Sequence, residues 1–230
     1  MRFYGKYMNT FSDMKISGVI FDMDGVILDS MPMWNCAPDL YLESLGIKGP
    51  GDLGKKFFTM TMNTACEYMK ENFCQDKTAE EIQKEISQVV MEQYRKHIMA
   101  KKGIPEFIEK LSKYSIPVTI ATTSVKSMAE AAFERLGFSK YIDKIFAADD
   151  YHCDKSVPDL FIHAADFMNT IPAETFLFED ALHSIETAKT AGFRTVGIYD
   201  AASEIKQEKI MELADVYVDK TEKLVNLLNA

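Results

Sequence analysis

The sequence predicts an α/β protein, with a doubly wound, Rossmann-like parallel sheet and a domain of helices inserted into it. Short apolar runs bounded by turn residues alternate with amphipathic helical patterns over most of the chain, as in a sheet covered by helices on both faces. The runs are nearly continuous, which suits strands buried on both sides. One long segment, by contrast, contains no convincing strand.

Six apolar runs are predicted to be the strands of this sheet. In chain order they span residues 19–21, 118–121, 145–147, 176–178, 195–198 and 216–218.

Helical patterns lie between these runs. KSMAEAAFERLGF has Ser124 just before it as a predicted N-cap and Gly137 as its stop, and DALHSIETAKTAGF ends at Gly192. A third helix is predicted to begin near Pro158, because the N–H that proline lacks has no partner in the first helical turn anyway.

Residues 31–101 interrupt this alternation of strands and helices. They contain several helical patterns, among them TAEEIQKEISQVVMEQYRKHIM, and the segment is too long for a simple crossover. The return to the sheet falls near AKKGIP, where Gly103 and Pro105 break the pattern. We therefore predict a core domain of residues 1–30 and 102–230 and a helical cap domain of residues 31–101.

Composition excludes several classes of partner. The chain has 230 residues, of which 47% are hydrophobic, and its 35 acidic and 26 basic residues give a net charge of −9. A folded domain of this charge is not expected to coat nucleic acid or to bind an anionic membrane surface. Any phosphate that it binds must be held by a local arrangement of donors.

Cysteine usage and the N-terminus indicate a cytoplasmic protein. The four cysteines form no CxxC pair and have no metal-ligand spacing with the four histidines, as expected of free thiols in a reducing compartment. The N-terminus has no apolar signal-peptide region, and no segment approaches the length of a membrane span. The first dozen residues are predicted to be a poorly ordered extension.

Polar residues follow several of the predicted strands at the edge where open parallel sheets bind ligands. They are Asp22 and Asp24 after the first run, Thr122, Thr123 and Ser124 after the second, Lys155 in the loop after the third, and Glu179 and Asp180 after the fourth.

This set of side chains indicates phosphoryl transfer. Asp22 and Asp180 side by side would repel each other strongly unless a cation lay between them. Carboxylate oxygens favour Mg²⁺, which typically takes one or two protein carboxylates together with substrate phosphate. A lysine and a hydroxyl group would supply donors to the remaining phosphoryl oxygens. We therefore expect a Mg²⁺-dependent enzyme that acts on a small phosphorylated metabolite.

Four motifs carry a resemblance to a known family. FDMDGVILDS, TIATTS, DKSVPDLF and FLFEDALHSIETAKTAGF occur in this order along nearly the whole chain. The chain resembles the haloacid dehalogenase-like hydrolase superfamily, in the helical-cap branch that contains phosphatases and β-phosphoglucomutases. It departs from the family where proline usually follows the lysine, since Ser156 stands at that position.

The resemblance implies a role for each acidic residue. Asp22 would attack phosphorus and form an aspartyl-phosphate. Asp24 would protonate the leaving alcohol, then activate water as a base, and its carbonyl would touch the metal. Asp180 would complete the Mg²⁺ shell, and Glu179 would orient Lys155 or the metal's waters.

The remaining site residues are expected to bind the phosphate. Thr122 and Lys155 would hold the transferring oxygens, and Thr123 follows in the same loop. Gly25 would let the chain turn tightly and bring a backbone N–H to the phosphate. Trp34 is a candidate substrate contact, although a tryptophan there also suits the core of a cap helix. The resemblance also implies a monomer.

Two alternative functions stay open. Sugar-phosphate mutases of this branch carry a histidine shortly after the first motif and an arginine further into the cap. Trp34 occupies the first position, and KKFFTMTMNTACEYM contains no arginine, so a second phosphate would have little to hold it. Phosphatase is therefore preferred to mutase. A non-catalytic module that only holds a phosphoryl group on aspartate is the other alternative, although such receivers are shorter and have no helical insertion.

Overall fold

The computed structural model describes residues 15–57 and 60–228. This part of the chain divides into two compact units. The helical unit is Ser30–Ile98, and the sheet unit comprises the described residues up to Asp29 and from Met99 onward. The predicted N-terminal extension, the first dozen residues, lies outside the described residues.

The sheet unit contains a six-stranded, fully parallel sheet in the order β3-β2-β1-β4-β5-β6. The strands are β1 Gly18–Phe21, β2 Val118–Thr122, β3 Lys144–Ala147, β4 Thr175–Glu179, β5 Arg194–Ile198 and β6 Val216–Val218. The predicted α/β doubly wound class is therefore confirmed. Chain order reverses on either side of β1, and ligands of such sheets bind at this kind of switch point.

The helical unit contains four helices among its described residues: α1 Met31–Ser44, α2 Leu53–Phe57, α3 Met62–Asn72 and α4 Ala79–Lys96. α4 begins with a capping box, in which Thr78 and Glu81 each bind the other's backbone N–H. Its apolar residues Ile82, Ile86 and Val90 recur every four positions and are buried, so packing of one face stabilises the helix.

The helices of the sheet unit are α5 Ile104–Lys113, α6 Lys126–Leu136, α7 Ala148–Tyr151, α8 Asp159–Met168, α9 Leu182–Thr190, α10 Gln207–Leu213 and α11 Leu224–Leu227. Two stop and start signals were predicted correctly, since α6 ends at Gly137 in the left-handed conformation and α8 begins directly after Pro158. The prediction that Ser124 caps α6 was wrong, because Val125 is the N-cap and Ser124 lies one residue earlier.

Both faces of the sheet are buried, as the continuous apolar runs predicted. On one face Phe21 packs against Phe178 with a 4.6 Å separation of ring centroids, and Phe107 of α5 lies edge-on to Phe21 at 6.1 Å. The neighbouring residue Ile20 joins a buried cluster that includes Phe161 of α8. Successive strand residues point to opposite faces, so α5 and α8 cover opposite sides of β1.

The chain leaves and re-enters the sheet unit along two adjacent segments. The Asp29 N–H donates to the Met99 carbonyl at 2.9 Å, and the Lys101 N–H donates to the Ile27 carbonyl at 2.8 Å. Leu28 and Ala100 form an antiparallel bridge between them. The two segments are therefore hydrogen-bonded to each other within the sheet unit.

Among the described residues, no helix has both the length and the apolar character needed to cross a bilayer.

Candidate active site

The loop after β1 brings carboxylates to the middle of the sheet edge. The Asp22 N–H donates to the Phe178 carbonyl at 2.9 Å, which aligns the ends of β1 and β4. Gly25 then turns the chain with φ +80°, and a Cβ at this position would lie 2.7 Å from Asp180 Oδ2. Glycine is required here both for the left-handed backbone and for the close approach to Asp180.

Lys155 joins two acidic side chains in a buried position. Its Nζ donates to Asp22 Oδ1 and, at 2.9 Å, to Glu179 Oε1, and only 4% of the lysine side chain is exposed. The loop before α8 holds it there without the family's proline. The Ser156 N–H donates to Asp154 Oδ1 at 2.7 Å, and this side-chain turn supplies a local constraint on the backbone.

The end of β4 supplies the other two carboxylates. Glu179 Oε2 accepts hydrogen bonds from the N–H groups of Asp180 (2.7 Å) and Ala181 (3.2 Å). One oxygen each from Asp22, Glu179 and Asp180 lies within 4.8 Å of the others. These three residues with Lys155 form what we call the strand-end cluster.

The strand-end cluster carries an excess of negative charge. With all four groups ionised, three carboxylates (−3) and one ammonium group (+1) sum to −2. Burial and the neighbouring Glu179 charge raise the pKa of Asp22 to about 8 and that of Asp180 to about 9. A buried carboxylate stays ionised only where a positive charge compensates it.

The other two members of the cluster are stabilised in their charged forms. Burial opposes ionisation of Glu179, but the Lys155 ammonium group outweighs burial and holds the pKa of Glu179 below its usual value. Burial likewise opposes protonation of Lys155, and the charges of Asp22 and Glu179 raise its pKa. Asp22 and Asp180 are therefore the two groups whose negative charge is not fully compensated.

A divalent cation fits this donor set. Its charge would balance the sum of −2, and carboxylate oxygens within 4.8 Å of one another are the hard ligands that Mg²⁺ binds in proteins. Asp22, Asp180 and Glu179 are the side chains that could hold it or its waters.

Thr122 and Asp24 are linked through Ser124, which the sequence placed at the same strand end but to which no role in the site was assigned. Thr122 is buried at the end of β2, and its Oγ1 accepts a hydrogen bond from the Ser124 N–H at 3.0 Å. The Ser124 hydroxyl donates to Asp24 Oδ2 at 2.6 Å. Thr123, the predicted binding residue between them, has an exposed side chain. Its role in substrate binding stays a prediction.

Ser203, which the sequence analysis did not select, contacts the strand-end cluster. The Ser203 hydroxyl donates to Asp180 Oδ2 at 3.2 Å. Ser203 lies in the short 3₁₀ helix Ala201–Lys206, and Oδ1 of its N-cap residue, Asp200, accepts from the Ala202 N–H at 2.8 Å. Lys101 binds the other oxygen of Asp200 at 2.8 Å. The only sequence signal was Asp200 as a helix cap after β5, and it did not point to Asp180.

Trp34 belongs to the helical unit. Its indole N–H donates to the Tyr94 hydroxyl at 3.0 Å. The indole N–H therefore has a hydrogen-bond partner within the helical unit itself. A role for Trp34 in substrate binding stays a prediction.

The chain belongs to the haloacid dehalogenase-like hydrolases. The sequence profile of that family matches residues 19–198, well over half of the chain. The match begins at β1 and ends at β5, and so includes every residue of the strand-end cluster. The protein is therefore an enzyme of this hydrolase family.

Individual relatives cover almost the same length. The phosphorylated carbohydrates phosphatase of Thermotoga maritima is 25% identical over 93% of this chain and 98% of its own. The phosphoglycolate phosphatase of Escherichia coli is 26% identical over 89% and 90%. The crystal structure of β-phosphoglucomutase from Clostridium difficile superimposes with a TM-score of 0.66 at 20% identity, covering 91% and 93%. The last similarity concerns the fold.

Proposed function

We propose that the protein is a Mg²⁺-dependent phosphatase that hydrolyses a small organic phosphate monoester through an aspartyl-phosphate. The observation that carries this proposal is the strand-end cluster, in which buried Lys155 contacts Asp22 and Glu179 while Asp180 stands within 4.8 Å of both carboxylates. This arrangement supports a nucleophile, a cation for the phosphoryl oxygens and a carboxylate suited to a metal, all in one place. The two curated relatives described above are named as phosphatases.

In the first half-reaction the Asp22 carboxylate attacks phosphorus, and the bond from phosphorus to the alcohol oxygen breaks. Asp24 gives its proton to that oxygen, so the product leaves as a neutral alcohol. Lys155 and Thr122 hold the phosphoryl oxygens during the transfer. A bound Mg²⁺ would neutralise charge on the phosphoryl group, and Asp22, Asp180 and the Asp24 carbonyl are its proposed ligands.

In the second half-reaction water attacks the phosphorus of the aspartyl-phosphate. Asp24, now a carboxylate, takes a proton from the water, and the bond from phosphorus to Asp22 breaks. Inorganic phosphate leaves and both carboxyl groups return to their starting states. Asp24 thus acts once as an acid and once as a base in each turnover.

The decisive experiment measures release of phosphate from p-nitrophenyl phosphate with and without Mg²⁺. We expect EDTA to abolish turnover and added Mg²⁺ to restore it. Asp22→Asn should lower kcat at least about a thousandfold, because an amide is a poor nucleophile. Asp150→Asn, which changes an exposed carboxylate, is the matched control and should leave kcat unchanged. Full activity of Asp22→Asn would refute the mechanism.

A second measurement identifies the intermediate and tests the mutase alternative. Acid-quenched enzyme should carry one phosphoryl group on the peptide that contains Asp22. A panel of phosphorylated metabolites should include glucose 1-phosphate with a bisphosphate primer. If glucose 6-phosphate formed faster than phosphate was released, the protein would be assigned as a mutase and not as a phosphatase.

A further inference from the structure

The hydroxyl of Ser124 contacts the carboxyl group to which proton transfer is assigned. Its Oγ lies 2.6 Å from Asp24 Oδ2. We propose that Ser124 is a positioning residue that holds the Asp24 carboxyl in place through both half-reactions. This inference rests on the function proposed above. It assigns Ser124 no contact with the substrate.

A hydroxyl group is suited to a partner that gains and loses a proton. It donates a hydrogen bond to the Asp24 carboxylate and, after rotation about its C–O bond, accepts one from the protonated carboxyl. A backbone N–H or an ammonium group could only donate, and would therefore favour the charged form. Ser124 can keep the same position while the proton moves from Asp24 to the alcohol oxygen and a later one moves from water to Asp24.

The sheet fixes where this hydroxyl stands. The Ser124 N–H is bound by Thr122 Oγ1 at 3.0 Å, and Thr122 is the last residue of β2. β2 in turn pairs with β1, with Phe21 opposite Ile120. Both ends of the Ser124–Asp24 hydrogen bond therefore follow directly from neighbouring strands.

Ser124 has no helix-capping function that would explain its hydroxyl. Val125 is the N-cap of α6, and the helix begins at Lys126 without a side-chain cap. The hydroxyl instead points back to Asp24, 100 positions earlier in the sequence. A purely structural contact would tie two loops together, whereas a positioning contact must affect proton transfer. Substrates with different leaving groups distinguish these roles.

The test compares phenyl phosphate with p-nitrophenyl phosphate at saturating Mg²⁺. Nitrophenolate leaves readily without a proton, whereas phenolate depends more on the acid. Since kcat/KM reports the first phosphoryl transfer, Ser124→Ala should lower kcat/KM for phenyl phosphate about tenfold. For p-nitrophenyl phosphate we expect a loss of less than about threefold. Ser124→Thr, which keeps the hydroxyl, should restore both values.

The control is Ser127→Ala, which removes an exposed hydroxyl in the first turn of α6. It should leave kcat/KM unchanged for both substrates. In an Asp24→Asn background, Ser124→Ala should have little further effect, because the two residues act together. Ser124→Cys, with similar volume and a weak donor, serves as a second variant if Ser124→Ala unfolds.

Equal losses on both substrates, or no loss on either, would overturn the assignment of Ser124. So would an undiminished effect of Ser124→Ala in the Asp24→Asn background. Failure of the proposed function gives a different result, since the unaltered protein would then hydrolyse neither phosphate with Mg²⁺.

Discussion

Two polar networks in this protein differ in how their charges balance. In the helical unit Glu85 binds Lys77 and the Tyr41 hydroxyl, each at 2.8 Å, and we call these residues the helical-unit network. One carboxylate there meets one ammonium group, and the two side chains are 34% and 25% exposed. In the strand-end cluster, three buried carboxylates share one ammonium group.

The difference separates a structural network from a binding site. Hydrogen bonds from Lys77 and Tyr41 hold the pKa of Glu85 below its usual value, so that network is complete as it stands. In the strand-end cluster the pKa values of Asp22 and Asp180 rise instead. Buried negative charge without a counterion destabilises the fold until a cation arrives. An unbalanced cluster is therefore the stronger indication of function.

The largest expected effect is that of removing the only ammonium group in the strand-end cluster. Lys155→Met should lower the free energy of unfolding by about 3–5 kcal/mol near neutral pH, because the ionised Glu179 carboxylate loses its buried partner. Lys77→Met is the matched control in the helical-unit network, where the ion pair is partly solvated and its loss should matter far less. Urea titrations of both variants, without metal, measure the difference. Equal losses would contradict the comparison.

Magnesium should stabilise the protein, and more so at higher pH. At about a hundred times its dissociation constant, Mg²⁺ should add about 2.7 kcal/mol, or roughly 5–10 °C in Tm.

The sign follows from the two raised pKa values. Unfolded Asp22 and Asp180 lose their protons near their ordinary pKa, about 3.8, while the folded groups keep theirs up to about 8 and 9. The unfolded state therefore binds fewer protons, and stability in EDTA should fall from about pH 4 to about pH 9. Thermal unfolding with EDTA or with Mg²⁺ across this pH range tests the predicted pH dependence. A Mg²⁺ effect that shrinks as pH rises would contradict the assignment.

Asp180→Asn should act in opposite directions on stability and on metal binding. The variant removes an acidic group whose ionisation burial disfavours, but it keeps a side-chain oxygen that can accept from the Ser203 hydroxyl. The Tm in EDTA should rise by a few degrees at pH 8, whereas the stabilisation by Mg²⁺ should be largely lost. A fall of Tm in EDTA would show that the charge of Asp180 is already compensated.

Ser203→Ala tests the support of a proposed metal ligand. Loss of the hydrogen bond to Asp180 Oδ2 should weaken Mg²⁺ binding about tenfold, as outer-shell substitutions commonly do. Calorimetric titration of Mg²⁺ measures this without substrate. Ser139→Ala, outside the site, should bind Mg²⁺ as the unaltered protein does.

The smallest effect on stability is expected in the helical-unit network. Tyr41→Phe removes the hydrogen bond to Glu85 from a side chain that is 1% exposed. We expect a loss of about 1 kcal/mol and no change in Mg²⁺ binding. A change in Mg²⁺ affinity would show that this network is not purely structural.

The sheet could be predicted because buried parallel strands have a distinctive pattern. All six apolar runs became strands, and the errors lie at their ends. β2 extends to Thr122 and β4 to Glu179, since a polar residue can still pair its backbone when its side chain points into a site. A pattern based on hydrophobicity stops one residue too early at such positions.

Parts of the candidate site could not be predicted because they depend on side-chain direction and distant contacts. Three hydroxyl residues follow one another in TIATTS, and only the turn after β2 determines that Ser124 faces Asp24 while Thr123 is exposed. Ser203 contacts Asp180 from a 3₁₀ helix 23 positions further along the chain. Neither contact has a local sequence pattern, because the sheet topology creates both.

Asp29 and Met99 are paired, so the 69-residue unit Ser30–Ile98 leaves and returns to the sheet unit at one point, as the loop of a hairpin does. Closing a flexible loop costs only about 0.6 kcal/mol for each doubling of its length. The stability of the sheet therefore depends little on how long the intervening chain is. An insert of a different length at this junction would therefore cost the sheet little free energy.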